Sequence, residues 1–159
     1  MSKAIKALLF DKDGTLFDFH ATWSAWCDNF IADISGGDTQ VVANLADILD
    51  VDLKVKKFRE SSAFIAGTID TFLDPLHRVL PDWNRDDLFN HILDTSSAAQ
   101  QAPVTELGPL LRRFRANGLG IGLATNDNEA PARAHLNSVN VLDCFDFVSG
   151  CDSGFGAKP

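Results

Sequence analysis

The sequence has few cysteines and no long apolar run, and these two absences exclude several classes of protein. Its three cysteines include no CxxC pair, which argues against a disulfide scaffold or a cysteine-bound metal; they are Cys27, Cys144 and Cys151. No stretch approaches the roughly 18 consecutive apolar residues of a membrane-spanning helix. The N-terminus also lacks the charged-then-apolar pattern of a secretory signal. We therefore expect a reduced, cytoplasmic protein.

Positive charge is also scarce. The 159 residues include 14 Lys and Arg against 22 Asp and Glu, a formal net charge of −8. A chain of this sign is repelled by nucleic acid and by anionic membranes, so neither is expected as a partner. A small phosphorylated metabolite remains compatible, because backbone amides, a lysine or a metal can offset its charge locally. The 12 Phe and 3 Trp can fill the core of one domain with a modest insertion.

Strand-like stretches lie near both ends of the chain, whereas helical periodicity fills its middle. Residues 3–10 predict a buried strand, and the stretches LGIGLATN and CFDFVSG predict two more, with helices between them. This alternation favours a Rossmann-like parallel sheet with right-handed crossovers, an α/β fold. We predict a discontinuous α/β core of residues 1–17 and 99–159, interrupted by an all-helical insertion of residues 18–98.

Within the insertion, local signals predict where individual helices begin and end. A helix from Ala21 should stop at the Gly36-Gly37 pair, and Asp38 should cap the next helix. A further helix should start at Thr68, and another should cover residues 85–101. The charged stretch between the second and third helices has no clear pattern.

Polar side chains follow all three predicted strands. Asp11 and Asp13 come directly after the first strand, Thr125 and Asn126 end the second, and Lys158 lies in the loop after the third. Ligands of open parallel sheets bind beyond the carboxyl ends of the strands. We therefore expect these side chains to converge on one edge of the sheet.

The pair Asp11 and Asp13 is electrostatically unfavourable without a partner. Two carboxylates about 4 Å apart repel by about 4 kcal/mol at an effective dielectric constant near 20. They are stable together beside a cation, or when one is protonated. Both conditions suit catalysis, with one ionised nucleophile beside a divalent cation and one proton donor. The alternative interpretation is an ordinary turn before Gly14.

Three short segments resemble the sequence motifs of one enzyme family. DKDGTLFD, LATN and GAKP, in this order and each after an apolar strand, resemble the first three motifs of the haloacid dehalogenase (HAD) superfamily. The insertion after the first motif resembles the helical cap of its phosphoglycolate-phosphatase-like branch. The resemblance spans nearly the whole chain and implies an HAD-like core that is incomplete at its C-terminus.

The resemblance implies a role for each converging residue. Asp11 would attack phosphorus and form an aspartyl-phosphate, while Asp13 would act as general acid and base. Thr125 would bind the phosphoryl oxygens with help from amides near Asn126, and Lys158 would bind substrate and offset charge. Mg²⁺ would be held by the Asp11 carboxylate and the Asp13 carbonyl. The expected function is a magnesium-dependent phosphatase acting on a small phosphomonoester such as phosphoglycolate. Asp13 favours this over dehalogenation, because an expelled halide needs no proton.

The chain departs from the family pattern after the third motif. The fourth motif, acidic residues that complete the magnesium site, has no counterpart before Pro159, and Asp152 is interpreted as a loop residue rather than a replacement ligand. Two explanations stay open: a piece of a longer phosphatase, or a short, catalytically silent protein that binds phosphate. In either case the first strand should form a sheet edge, which predicts pairing with a second copy.

Four other residues, one lysine and three histidines, are interpreted only from their positions in a strand or a helix. Strand alternation points Lys12 away from Asp11. His77, His91 and His135 lie on helical patterns without evident partners and are predicted to be solvated.

Overall fold

The computed structural model describes residues 4–158, so Lys3 of the predicted first strand and Pro159 lie outside the described residues. The chain divides into two compact units, residues 1–19 with 100–159 and residues 20–99. The first, called the core unit below, contains a parallel sheet with helices, and the second, the insertion unit, is largely helical. The assignment of the insertion unit as a substrate-covering cap stays a prediction.

Helices and short strands make up both units. In chain order they are β1 (Ala7–Phe10), α1 (Phe19–Ile34), α2 (Thr39–Leu49), β2 (Val51–Asp52), β3 (Lys57–Phe58), α3 (Ala63–Ala66), α4 (Ile69–Val79), α5 (Arg85–Ser97), α6 (Leu107–Ala116), β4 (Gly120–Ala124), α7 (Glu129–Ser138), a 3₁₀ turn (Leu142–Cys144) and β5 (Phe147–Ser149).

The core unit contains a parallel sheet with the order β1-β4-β5. In its register Leu9 lies opposite Gly122, which in turn lies opposite Phe147. Helices connect the strands, so the predicted α/β fold with a parallel sheet is confirmed. Among the described residues β1 pairs only with β4, so the first strand lies at a sheet edge, as predicted.

One face of this sheet carries the hydrophobic core. Side chains of β4 pack with those of α6, α7 and the loop between β1 and α1. The buried residues of this core include Leu16, Phe17, Leu107, Leu111, Ile121, Leu123, Ala132, Leu136 and Val148. Leu9 and Phe147 are on the opposite face and remain 66% and 52% exposed. Strand alternation therefore directs one set of side chains into the core and leaves the other set accessible.

The insertion unit is built around aromatic side chains. Trp26 stacks on Phe30 at 4.8 Å and on Phe64 at 5.3 Å between ring centroids.

Asp38 caps α2 as predicted, since its Oδ1 accepts hydrogen bonds from two backbone N–H groups of the first turn. Thr68 is the N-cap of α4, which also confirms its predicted start.

Two predictions for the insertion unit were wrong in detail. It is not entirely helical, because Val51 pairs with Phe58 in a short antiparallel ladder within the stretch that had no clear pattern. Both of these side chains are 4% exposed, so their burial anchors the hairpin. Helix α5 ends at Ser97 rather than at residue 101. Beyond Ser97 the Ala99 N–H donates to the Ser96 carbonyl oxygen, three residues back, so the α-helical hydrogen-bond pattern is not continued.

Asp146 joins three elements of the core unit and gives a first prediction. Its carboxylate accepts hydrogen bonds from Arg115 Nη1 at 2.5 Å and from the Ile121 N–H at 2.7 Å. The Arg115 hydrogen bond, followed by that from Ile121, lowers the pKa of Asp146 below its ordinary value. Because the folded pKa is lowered, the stabilisation is complete above the unfolded pKa of about 3.9 and is lost as the pH falls through the folded value.

We therefore expect Asp146→Asn to lower the free energy of unfolding at pH 7, with a difference from wild type that shrinks on acidification below pH 4. Urea titrations at pH 7 and pH 3 measure this difference. Asp82→Asn, at an exposed turn carboxylate, is the matched control and should change little at either pH. A difference for Asp146→Asn that is the same at both values would contradict the assignment.

Candidate active site

The loops after the three parallel strands meet, as the sequence predicted. Lys158 Nζ lies 2.5 Å from Asp11 Oδ1, and the Lys158 backbone N–H donates to Asn126 Oδ1 at 2.7 Å. These contacts join the ends of β1 and β4 to the loop that follows β5. The structure thus brings the nucleophile candidate and the lysine together, while their chemical roles stay predictions.

Thr125 is held at the end of β4 by hydrogen bonds on both sides. Its N–H donates to the Ser149 carbonyl oxygen at 2.9 Å, and its Oγ1 accepts from the Asp127 N–H at 3.2 Å. The residue is buried, with 4% exposure. Its position is therefore fixed by neighbouring backbone, as a phosphate-binding hydroxyl would require.

Asp11 and Asp13 each contact a different lysine. Asp11 pairs with Lys158, and its Oδ1 also accepts from the Lys12 N–H at 2.7 Å. Asp13 pairs with the Lys12 ammonium, whose Nζ is 2.9 Å from Oδ2. The Asp11 side chain is 47% exposed and the Asp13 side chain 15%. The repulsion between the two carboxylates is therefore offset by two separate cations of the chain itself.

Lys12 is completely buried and bridges several groups. Besides Asp13, its Nζ lies 2.9 Å from Asp127 Oδ2 and 3.1 Å from His135 Nδ1. Burial by itself lowers the pKa of Lys12, but the charges of Asp127 and Asp13 and their hydrogen bonds outweigh it, so the pKa is raised. Lys12 is therefore a charged residue inside the core unit.

The predicted solvation was wrong for His135, whereas His77 and His91 are half-buried and have polar partners that were not expected. His135 is fully buried on α7, and because an ammonium only donates, its Nδ1 must accept from Lys12. His91 Nε2 lies 3.0 Å from Asp33 Oδ2, and His77 Nε2 lies 3.0 Å from the Trp83 carbonyl oxygen. Helical periodicity places these residues on a face but does not show which polar groups approach it.

Asp152 accepts hydrogen bonds at the N-terminus of helix α7. Its Oδ1 accepts from the Glu129 N–H at 2.8 Å, and its Oδ2 accepts from Asn128 Nδ2 at 3.1 Å. A carboxylate at this helix terminus also interacts favourably with the helix dipole. The interpretation of Asp152 as a structural loop residue is supported by these contacts.

The oxygen donors of the site match the chemistry of Mg²⁺. Mg²⁺ binds through one or two carboxylates, retained waters and substrate phosphate oxygens, and Asp11 and Asp13 supply donors of this kind. Within residues 4–158, no group of three or more His, Cys, Asp or Glu side chains is arranged to hold a metal. The residues present thus fit Mg²⁺ in donor type through the Asp11 carboxylate and the Asp13 carbonyl oxygen, since the Asp13 carboxylate is paired with Lys12.

A family model describes nearly the whole chain. The model for haloacid dehalogenase-like hydrolases matches residues 5–159. No curated protein matches the sequence. Across the described residues, no helix has the length and apolar character needed to cross a membrane.

Solved structures show the same fold at low sequence identity. One is described as a predicted phosphoglycolate phosphatase from Haemophilus somnus 129PT, with 16% identity, a TM-score of 0.62 and coverage of 98% of this chain and 66% of that one. A 2-haloacid dehalogenase from Pseudomonas syringae pv. tomato DC3000 has 20% identity, a TM-score of 0.59 and coverage of 94% and 65%. An L-2-haloacid dehalogenase from Xanthobacter autotrophicus, with chloropropionic acid covalently bound, has 18% identity, a TM-score of 0.55 and coverage of 98% and 60%. The chain thus spans about two thirds or less of the length of these three proteins.

Proposed function

Since the chain belongs to the haloacid dehalogenase-like hydrolases, we propose that it is a magnesium-dependent phosphatase that hydrolyses a small phosphomonoester such as phosphoglycolate. The observation that carries this proposal is Asp13, held at the end of β1 two residues after Asp11. An alcohol leaving phosphorus needs a proton and a halide does not, so a second carboxyl group beside the nucleophile favours phosphate esters as substrates.

In the first half-reaction Asp11 acts as the nucleophile. An Asp11 carboxylate oxygen forms a bond to phosphorus while the bond from phosphorus to the ester oxygen breaks. Binding of the negatively charged phosphate ester next to Asp13 favours its protonated form. That proton passes to the departing alkoxide oxygen, which leaves Asp13 ionised and paired with Lys12. The contact between Lys158 and Asp11 supports a role for this ammonium in offsetting the charge of the nucleophile and of the transferred phosphoryl group.

In the second half-reaction water releases phosphate. The water oxygen bonds to phosphorus, the bond from phosphorus to Asp11 breaks, and one water proton passes to Asp13. Both carboxyl groups then return to their starting states. Thr125 and the amides near Asn126 are proposed to bind the non-reacting phosphoryl oxygens, which is consistent with the fixed position of this segment.

Magnesium would supply the remaining charge stabilisation. When bound, Mg²⁺ stabilises negative charge on phosphoryl oxygens as a Lewis acid. The Asp11 carboxylate and the Asp13 carbonyl are proposed to hold it, because both offer the oxygen donors that this ion prefers.

Substrate selection and dimer formation are proposed for the insertion unit and for the sheet edge, respectively. Residues 20–99 are proposed as a cap that selects the substrate, and the cytoplasm is proposed as the compartment. The accessible edge of β1 is proposed as a surface for a homodimer, because unpaired strand groups favour pairing with another strand.

The proposal is tested by comparing leaving groups and metals. The protein is assayed for phosphate release from phosphoglycolate and p-nitrophenyl phosphate, with Mg²⁺ and with EDTA, and for chloride release from 2-chloropropionate. We expect phosphate release that requires Mg²⁺ and no chloride release. Chloride release would establish a dehalogenase instead, and phosphate binding without turnover would establish a catalytically silent phosphate-binding protein.

A further inference from the structure

Lys12 places one buried ammonium among groups from three parts of the core unit. Its Nζ contacts Asp13 directly after β1, Asp127 in the loop after β4, and His135 on α7. None of these three contacts involves Asp11, whose partner is Lys158. The Lys12 network is therefore distinct from the ion pair that holds the nucleophile.

A buried ammonium is costly unless all its donors are used. Asp13 and His135 accept hydrogen bonds from this ammonium, and Asp127 Oδ2 forms an ion pair with it at 2.9 Å. Removing one member of such a network leaves the other charges buried and unpaired. A fully buried lysine in this place therefore constrains the side chains that surround it.

The contact with Asp13 involves both oxygens of that carboxylate. Nζ lies 3.0 Å from Oδ1 and 2.9 Å from Oδ2, so rotation of the carboxyl group is restricted. The same Nζ is 2.9 Å from Asp127, whose N–H donates to Thr125 Oγ1 at 3.2 Å. Lys12 thus links the acid/base candidate to the segment proposed to bind phosphate.

We propose that Lys12 is a positioning residue, whose buried ammonium holds the Asp13 carboxyl group in place relative to the loop that carries Thr125 and Asp127. The inference rests on the proposed function in one respect, which is the role of Asp13 as the proton donor to the leaving group. Lys12 itself contacts neither substrate nor metal in this scheme, and it acts through Asp13.

A change in leaving-group dependence is the expected signature of such a residue. An alkyl alcohol departs from phosphorus only with a proton, whereas p-nitrophenolate departs readily without one. We expect Lys12→Met to lower kcat/KM for an alkyl phosphomonoester by about 100-fold, within the range that general acid catalysis contributes. This ratio reports only the steps up to release of the alcohol, so the water step that both esters share does not enter it. The kcat/KM for p-nitrophenyl phosphate should fall less than about fivefold, because its leaving group needs no proton from Asp13.

Three further variants make the result specific. Lys12→Arg keeps a cation at the position and should recover part of the lost alkyl-ester turnover. Lys6→Met removes an exposed lysine of the core unit just before β1, and it should change the kcat/KM of neither ester by more than about twofold. If Lys12→Met does not fold, Asp127→Ala removes another member of the network and should produce the same selective loss of kcat/KM, at a smaller size.

An equal loss of kcat/KM for both esters would overturn the positioning role while leaving the proposed function intact. If the wild-type protein hydrolyses neither ester, the proposed function fails, and a double-mutant cycle in urea unfolding decides the role of Lys12. A coupling between Lys12→Met and Asp13→Asn of about tenfold or more in the unfolding equilibrium constant would support the restraint on Asp13. Additive effects of the two substitutions would overturn it.

Discussion

Asp11→Asn is expected to abolish phosphomonoester turnover, with a loss in kcat of at least about 10⁴-fold. The amide has nearly the same shape as the carboxylate but carries no negative charge, so it cannot form the acyl-phosphate bond to phosphorus. The side chain is 47% exposed and the amide oxygen can still accept from Lys158, so the fold should be preserved. Phosphate release under steady-state conditions measures the loss, and a urea titration verifies folding.

The intermediate gives this prediction a second readout. Rapid-quench mass spectrometry of the wild-type protein should detect a phosphoryl adduct on the peptide that contains Asp11, and the Asn variant should show none. Asp82→Asn, at an exposed turn carboxylate of the insertion unit, is the matched control and should keep wild-type turnover. Turnover retained by Asp11→Asn would exclude this residue as the nucleophile.

The convergence of the site could be predicted because its determinants are local. Asp11, Thr125 and Lys158 each follow an apolar strand, and a parallel sheet brings the ends of its strands to one edge. The helix caps at Asp38 and Thr68 were also predictable, since a cap depends on residues within one turn of it.

The Lys12 network could not be predicted, because its members are far apart in the sequence. Lys12 and His135 are separated by 123 positions, and only the packing of α7 against the sheet brings them together. Alternation gave the direction of the Lys12 side chain but not its partners. The sequence did contain one signal, a lysine flanked by two aspartates at the end of an apolar strand. A lysine buried at this place needs paired acidic groups, because an unpaired buried charge is costly. Asp127, one residue beyond the LATN segment, was missed for the same reason.

Gly150 was also not identified from the sequence, and its position depends on backbone packing. A Cβ placed on Gly150 would lie 2.3 Å from the Glu129 nitrogen, 2.6 Å from the Asp127 oxygen and 2.7 Å from the Asn128 carbonyl carbon. All three are backbone atoms of residues 127–129, a segment that runs from the loop after β4 into the first residue of α7. No rotamer change can relieve such contacts, so any larger residue must displace the segment.

Gly150→Ala is therefore expected to lower the free energy of unfolding by about 3 kcal/mol, at the upper end of the usual range for overpacking. Gly108→Ala is the matched control, because its added Cβ would meet the end of the flexible Arg112 side chain at 2.5 Å. Gly108 lies in the first turn of α6 directly before Pro109, so Gly108→Ala should change the free energy of unfolding by less than about 1 kcal/mol. Urea titrations at pH 7 compare the two variants, and equal stabilities would show that the segment accommodates the methyl group. Since the same segment carries Asp127, Gly150→Ala should also weaken phosphate-ester turnover, whereas Gly108→Ala should leave it unchanged.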